Sequence, residues 1–113
     1  MAGLGGDLLK GNVLTLILTL LGEQPMYGLQ LAKEIARRSE GAFQFKEGLL
    51  YPSLHQLEKQ GLVESEWHPS ELGPDRKYYS LTPKGRKEAA RRRQLWSAFT
   101  KAMAQVLGGK ADG

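Results

Sequence analysis

Apolar residues recur at two different periods along the chain, and the changes of period mark its elements. From Asp7 to Leu21 they are nearly continuous: Leu8 and Leu9, then Val13-Leu-Thr-Leu-Ile-Leu-Thr-Leu-Leu21. That run predicts a first helix buried over most of its surface, with Asp7 as N-cap and Gly22 as its stop. Glu23-Gln24-Pro25 reads as a turn. Tyr27, Leu31, Ala32 and Ile35 then share one face of a second helix, about Tyr27 to Arg38, closed by Ser39-Glu40-Gly41. Leu50, Leu54 and Leu57 repeat at i, i+4 and i+7 and predict a third helix from about Glu47 to Gln60, stopped by Gly61. Pro52 lies within it. Proline lacks an N–H and is best tolerated in a first turn, which allows the regular helix to begin as late as Leu49 to Tyr51.

After Gly61 the period falls to two. Val63 and Trp67 alternate with Glu64 and Glu66, Pro69 to Asp75 is dense in turn formers, and Arg76 to Thr82 is rich in strand formers. Together these predict a β-hairpin with a long polar tip. Adjacent strand residues point to opposite faces, so only one of Tyr78 and Tyr79 is expected inside. Thr82 as N-cap and Pro83 as the first helical residue open a last helix that runs to about Leu107. The predicted fold class is mainly α with a small β-hairpin: a winged helix-turn-helix over residues 7–82, then a single helix over 83–107. The glycine-rich ends, 1–6 and 108–113, read as flexible tails.

Composition narrows the chemistry. A length of 113 residues suits one domain with a modest core, and 41% apolar residues exclude a wholly disordered chain. The longest apolar stretch, Val13 to Leu21, is less than half of what a membrane span needs, and no secretory signal pattern precedes it. A cytoplasmic chain with no membrane partner is expected. Cysteine is absent, which removes disulfides, thiol catalysis and thiolate metal sites. The only histidines, His55 and His68, stand apart, without a metal-binding or phosphate-loop motif around them. Ser53 and Ser80 have no recognisable base. An enzyme is therefore not expected, nor a metal or cofactor.

Charge points elsewhere. The net charge is +4, and half of the 16 basic residues fall between Arg76 and Arg93 against one acid, Glu88. Such asymmetry favours a polyanion. In a winged helix-turn-helix the third helix enters the major groove. With Leu50, Leu54 and Leu57 turned inward, a rotation of about 100° per residue puts Gly48, Pro52, His55, Gln56 and Lys59 on the opposite face, with Tyr51 on its flank. Arg76 and Lys77 on the hairpin suit phosphate contacts. Lys46, just ahead of the third helix, is grouped with them. On the last helix, Trp96, Phe99, Met103 and Val106 form a short heptad seam, too apolar to be left in water. A homodimer is expected to bury it, with Leu8, Leu9 and Val13 of the first helix packed there too.

Four segments together are specific: Met26-Tyr-Gly-Leu-Gln-Leu31, Glu47-Gly-Leu-Leu-Tyr-Pro52, Leu57-Glu-Lys-Gln-Gly-Leu-Val63 and Arg76-Lys-Tyr-Tyr-Ser-Leu-Thr82, with Gly85 following. In these the chain resembles the PadR-type transcriptional regulators over about residues 12–107. The resemblance implies a winged helix-turn-helix with a C-terminal dimerisation helix, mostly repressing bacterial genes. It places Tyr27, Gly48, Tyr51 and Pro52 at or beside double-stranded DNA, and Arg76 and Lys77 on the basic wing. The single C-terminal helix is similar to the smaller subfamily, in which some members hold planar drugs between subunits with a Trp at the position of Trp96. Arg92, one turn before Trp96, and Ala89, a near-turn further back, would then shape a site for a planar aromatic molecule, preferably an anionic one. A symmetric dimer implies a palindromic operator. The alternative is a winged-helix module that binds protein and leaves the wing cations idle.

Overall fold

In the computed structural model the described residues are 6–108, so the expectations for 1–5 and 109–113 lie outside them. Gly6 opens a helix and Gly108 lies in a turn after the last one. The apolar run that predicts one first helix is divided in two: α1 (Gly6–Lys10) and α2 (Val13–Leu21). The break falls on Gly11-Asn12. Glycine is a weak helix former, and Asn side chains compete for backbone groups. Here the Asn12 amide donates to the Leu8 carbonyl at 2.7 Å, while its backbone leaves the helix at φ −121° and ψ 6°.

A two-residue strand, β1 (Met26–Tyr27), precedes α3 (Gly28–Arg38). Two residues carry no period, so the alternation rule does not reveal β1. The helix α4 (Glu47–Lys59) begins at Glu47, earlier than Pro52 suggests, with Lys46 as its N-cap. Pro52 is accommodated because the carbonyl that its missing N–H leaves free is that of Gly48, an exposed residue. The hairpin consists of β2 (Val63–His68) and β3 (Arg76–Leu81). β1 adds antiparallel to the other side of β3, so the expected two-stranded hairpin is a three-stranded sheet of order β1-β3-β2. Val63 pairs with Leu81, Trp67 with Lys77, and Met26 with Tyr79.

The core gathers Ile17, Leu18 and Leu21 of α2, Leu31 and Ile35 of α3, Leu50, Leu54 and Leu57 of α4, and Val63, Tyr79 and Leu81 of the sheet. The third-helix stripe is thus buried as its spacing predicts. The last helix, α5 (Pro83–Val106), starts hard against this core. The Thr82 hydroxyl accepts the Gly85 N–H at 3.0 Å and donates to the Gly61 carbonyl at 2.7 Å, and the Lys84 ammonium donates to the Gln60 carbonyl at 3.1 Å. The end of α4, the root of the sheet and the start of α5 are therefore one joint. The first half of α5 packs on α2, while Leu95, Phe99, Met103 and Val106 of the second half are exposed.

Candidate nucleic-acid interface

Because Leu50, Leu54 and Leu57 are held in the core, the other face of α4 is turned outward. Gly48, Tyr51, Pro52, His55, Gln56 and Lys59 are all exposed there, as is Lys46 at its start. Small and neutral residues dominate this face. Tyr27 caps α3, its N–H donating to the Gln30 side-chain oxygen at 3.3 Å.

The wing divides its cations between the two faces of the sheet. On one face, the Arg76 guanidinium lies 4.5 Å from the Tyr27 ring centroid, Tyr27 meets Tyr78 edge-on at 5.3 Å, and Tyr78 stacks on His68 at 4.7 Å. On the other, Tyr79 enters the core, and burial first, then the Glu58 carboxylate, raises its hydroxyl pKa. Beside Tyr79, the Lys77 ammonium stands 5.9 Å from the Trp67 ring centroid and 4.0 Å from the Glu58 carboxylate. An ion pair that long and that exposed contributes at most about 1 kcal/mol, so Lys77 can exchange Glu58 for a phosphate.

A groove of about 510 Å³ runs between the wing and the starts of α3 and α4, lined by Tyr27, Tyr51, Trp67, Arg76, Lys77 and Tyr79 among others. It brings together four of the residues singled out from the sequence: Tyr27 and Tyr51 from the helical side, Arg76 and Lys77 from the wing. His55, Gln56 and Lys59 lie further along α4, outside the groove. Trp67 and Gly28, both in its wall, are not among the sequence candidates. Trp67 has the inward parity of Val63, yet it is 64% exposed. Burial falls from Val63 through Ser65 to Trp67 as β2 runs out beyond the helices.

A second groove of similar volume lies where α1 and the start of α2 meet α5, lined by Leu8, Thr15, Arg92, Leu95, Trp96 and Phe99 among others. The Trp96 and Phe99 rings are 5.2 Å apart. Two expectations need correction. Leu9 and Val13 do not face a partner: they are 7% and 2% exposed, closed within the protomer's own core, and only Leu8, 79% exposed, remains available. Ala89 shares the helical stripe of Trp96, but α2 covers the stripe at Ala89, which is buried away from this groove. Arg92 does line it. Its Nε donates to Glu88 at 2.6 Å and its Nη1 to the Thr15 hydroxyl at 3.4 Å, while Arg91 donates to the same carboxylate at 2.7 Å. Hydrogen bonds from Arg91 and then Arg92 hold Glu88 down at about 2, so the trio carries one net positive charge at neutral pH.

Among the described residues no group of three or more His, Asp or Glu is placed to hold a metal ion, and no helix is long and apolar enough to cross a membrane.

Comparison with known proteins agrees with this geometry. Residues 17–91 match the Transcriptional regulator PadR-like family. Transcriptional regulator Rv3488 of Mycobacterium tuberculosis is 33% identical over 95 residues, 84% of this chain and 82% of that one. A PadR-like transcriptional regulator from Bacillus cereus superposes with a TM-score of 0.80 at 30% identity, covering 92% of this chain and 99% of that one. A transcriptional regulator from Clostridium thermocellum gives the same TM-score and identity over 90% of this chain and 96% of that one. The winged helix-turn-helix with its projecting terminal helix thus belongs to a transcriptional regulator of the PadR family.

Proposed function

We propose that this regulator acts in the cytoplasm as a homodimeric repressor that binds a palindromic operator, α4 in the major groove and the wing on the backbone, and is released by a small planar molecule. The observation that carries the DNA reading is the groove that sets Tyr51 of α4 opposite Arg76 and Lys77 of the wing. Aromatic and cationic groups flank one channel there, with Asp75 the one acid in its lining, next to a helix face of mostly small and neutral residues. Selection of bound fragments from genomic DNA, followed by footprinting, tests it. Enrichment of one palindrome with half-sites about one helical turn apart, roughly 10 bp or a multiple, is expected. No enrichment over random fragments would sink the reading in favour of a protein-binding module. Within that assay, Lys77→Ala should weaken binding to all sequences alike and flatten the salt dependence by about one unit. An unchanged slope would remove Lys77 from the phosphate contacts.

The groove at Trp96 supports the release step. Its aromatic pair can take a flat ring, since stacking adds about 0.5–1.5 kcal/mol beyond area burial. The net positive charge of Arg91, Arg92 and Glu88 favours an aryl carboxylate over a cationic dye. In Trp67→Phe protein, where Trp96 is the remaining indole, fluorescence titration with matched anionic, neutral and cationic planar compounds should show quenching strongest with the anion. Arg92→Ala should erase that preference. Binding that favours cations in both proteins would reject the charge argument.

A further inference from the structure

Gly28 is the first residue of α3 and is buried. The described glycines with positive φ are Gly6, Gly41, Gly61 and Gly108, so the conformation of Gly28 makes no demand for glycine. Helix propensity favours alanine at such a position. The demand comes from a side chain on another helix. A Cβ placed on Gly28 would stand 2.8 Å from both Cε1 and the hydroxyl oxygen of Tyr51, and 3.0 Å from its Cζ. Carbon atoms in good contact sit about 3.5–4.0 Å apart, so that Cβ and the ring cannot both keep their places. The three nearest atoms it would meet all belong to the far end of Tyr51, the part of the side chain that swings most freely.

We infer that Gly28 is a positioning residue for Tyr51. The missing side chain lets the ring rest its edge and hydroxyl against the start of α3, and this holds an otherwise half-exposed side chain in one direction. A side chain held before binding loses less rotamer freedom on binding, so the contact strengthens whatever Tyr51 touches. The inference rests on the proposed role of Tyr51 at DNA and adds to it a residue that touches no DNA itself. It predicts a specific kind of non-additivity. Gly28→Ala displaces the ring and leaves the fold intact, and its effect vanishes once the ring is gone.

The test is a double-mutant cycle in the full chain, read on the duplex that wild-type protein selects from a random-sequence library. Gly28→Ala and Tyr51→Ala should each weaken binding to that duplex about tenfold, the scale of one lost base contact, with little change on unrelated DNA. The double variant should bind no worse than Tyr51→Ala. Further loss in the double variant, or full affinity in Gly28→Ala, would overturn the inference. Thermal melting guards against misfolding. A Gly28→Ala protein that is unfolded while the double variant folds still supports the clash, whereas unfolding of both refutes it. A readout without DNA separates this inference from the proposed function. Nuclear Overhauser contacts between the Tyr51 ring and the Gly28 α-protons should be present in the wild type and lost in Gly28→Ala. Their absence from the wild type overturns the positioning role. Their presence in a protein that selects no duplex leaves the contact standing and overturns the operator reading instead.

Discussion

Phe99→Asp combined with Met103→Asp is expected to turn a micromolar dimer into monomers, with the helical content unchanged. Phe99 is 52%, Met103 43% and Val106 85% exposed on the half of α5 that projects from the domain, and Leu8 adds to the same side. Burying one large apolar side chain gains roughly 1.5–3 kcal/mol, and a two-fold axis uses each residue twice. Both are already about half buried in the protomer, so removing two per protomer removes about half of the full-burial value, roughly 3–6 kcal/mol, from association, before any repulsion among four carboxylates. Neither side chain belongs to the core cluster, so the domain itself should hold. Sedimentation velocity decides the matter: a wild-type protein already monomeric at micromolar concentration would defeat the dimer, and a variant still dimeric would move the interface elsewhere.

Gly85→Ala should be the most damaging glycine-to-alanine change among the described residues. A Cβ there would lie 1.9 Å from the Leu62 carbonyl oxygen and 2.9 Å from the carbonyl carbon, with Leu81 also in contact. Those obstacles are backbone, and the same Leu62 oxygen accepts the Thr82 N–H at 3.1 Å. Relief requires α5 to lift off the sheet, which breaks the cap at Thr82. Overpacking of this kind costs about 3 kcal/mol at the upper end of the usual range. At roughly 4–8 °C per kcal/mol for a domain of this size, the melting temperature should fall by about 12 °C or more. Gly48→Ala is the comparison for stability. It sits in a helix with nothing within 4 Å of the added carbon, so it should be neutral or raise the melting temperature slightly. Equal melting of the two variants would show that α5 does not bear on Leu62 in this way.

How far the sequence could be read depended on how many residues carried each signal. The stripe Leu50, Leu54, Leu57 and the start at Thr82-Pro83 are repeated or chemically distinctive, and both elements stand where expected. The break at Gly11-Asn12 hides inside an apolar run because burial, not period, dominates there. β1 is too short to show alternation and is strand only because β3 lies beside it. The candidate site divides in the same manner. Exposure of the α4 face follows from burial of the opposite one, so Gly48, Tyr51, Pro52, His55, Gln56 and Lys59 could be named. Periodicity gives the direction of a side chain but not what covers it. Leu9, Val13 and Ala89 point along apolar stripes that the protomer itself closes, and Trp67 points inward where the helices have already ended. The need for glycine at Gly28 was invisible because its cause, Tyr51, is on another helix.

The joint at Leu62, Thr82 and Gly85 makes α5 a lever. Its 24 residues span about 36 Å, and its short end is wedged against the root of the wing. A tilt of only about 5° at that pivot sweeps the far end through about 3 Å, close to the roughly 3.4 Å spacing of successive bases along a strand. In a dimer joined through the far ends, the same small rotation would shift two reading heads out of step by one base.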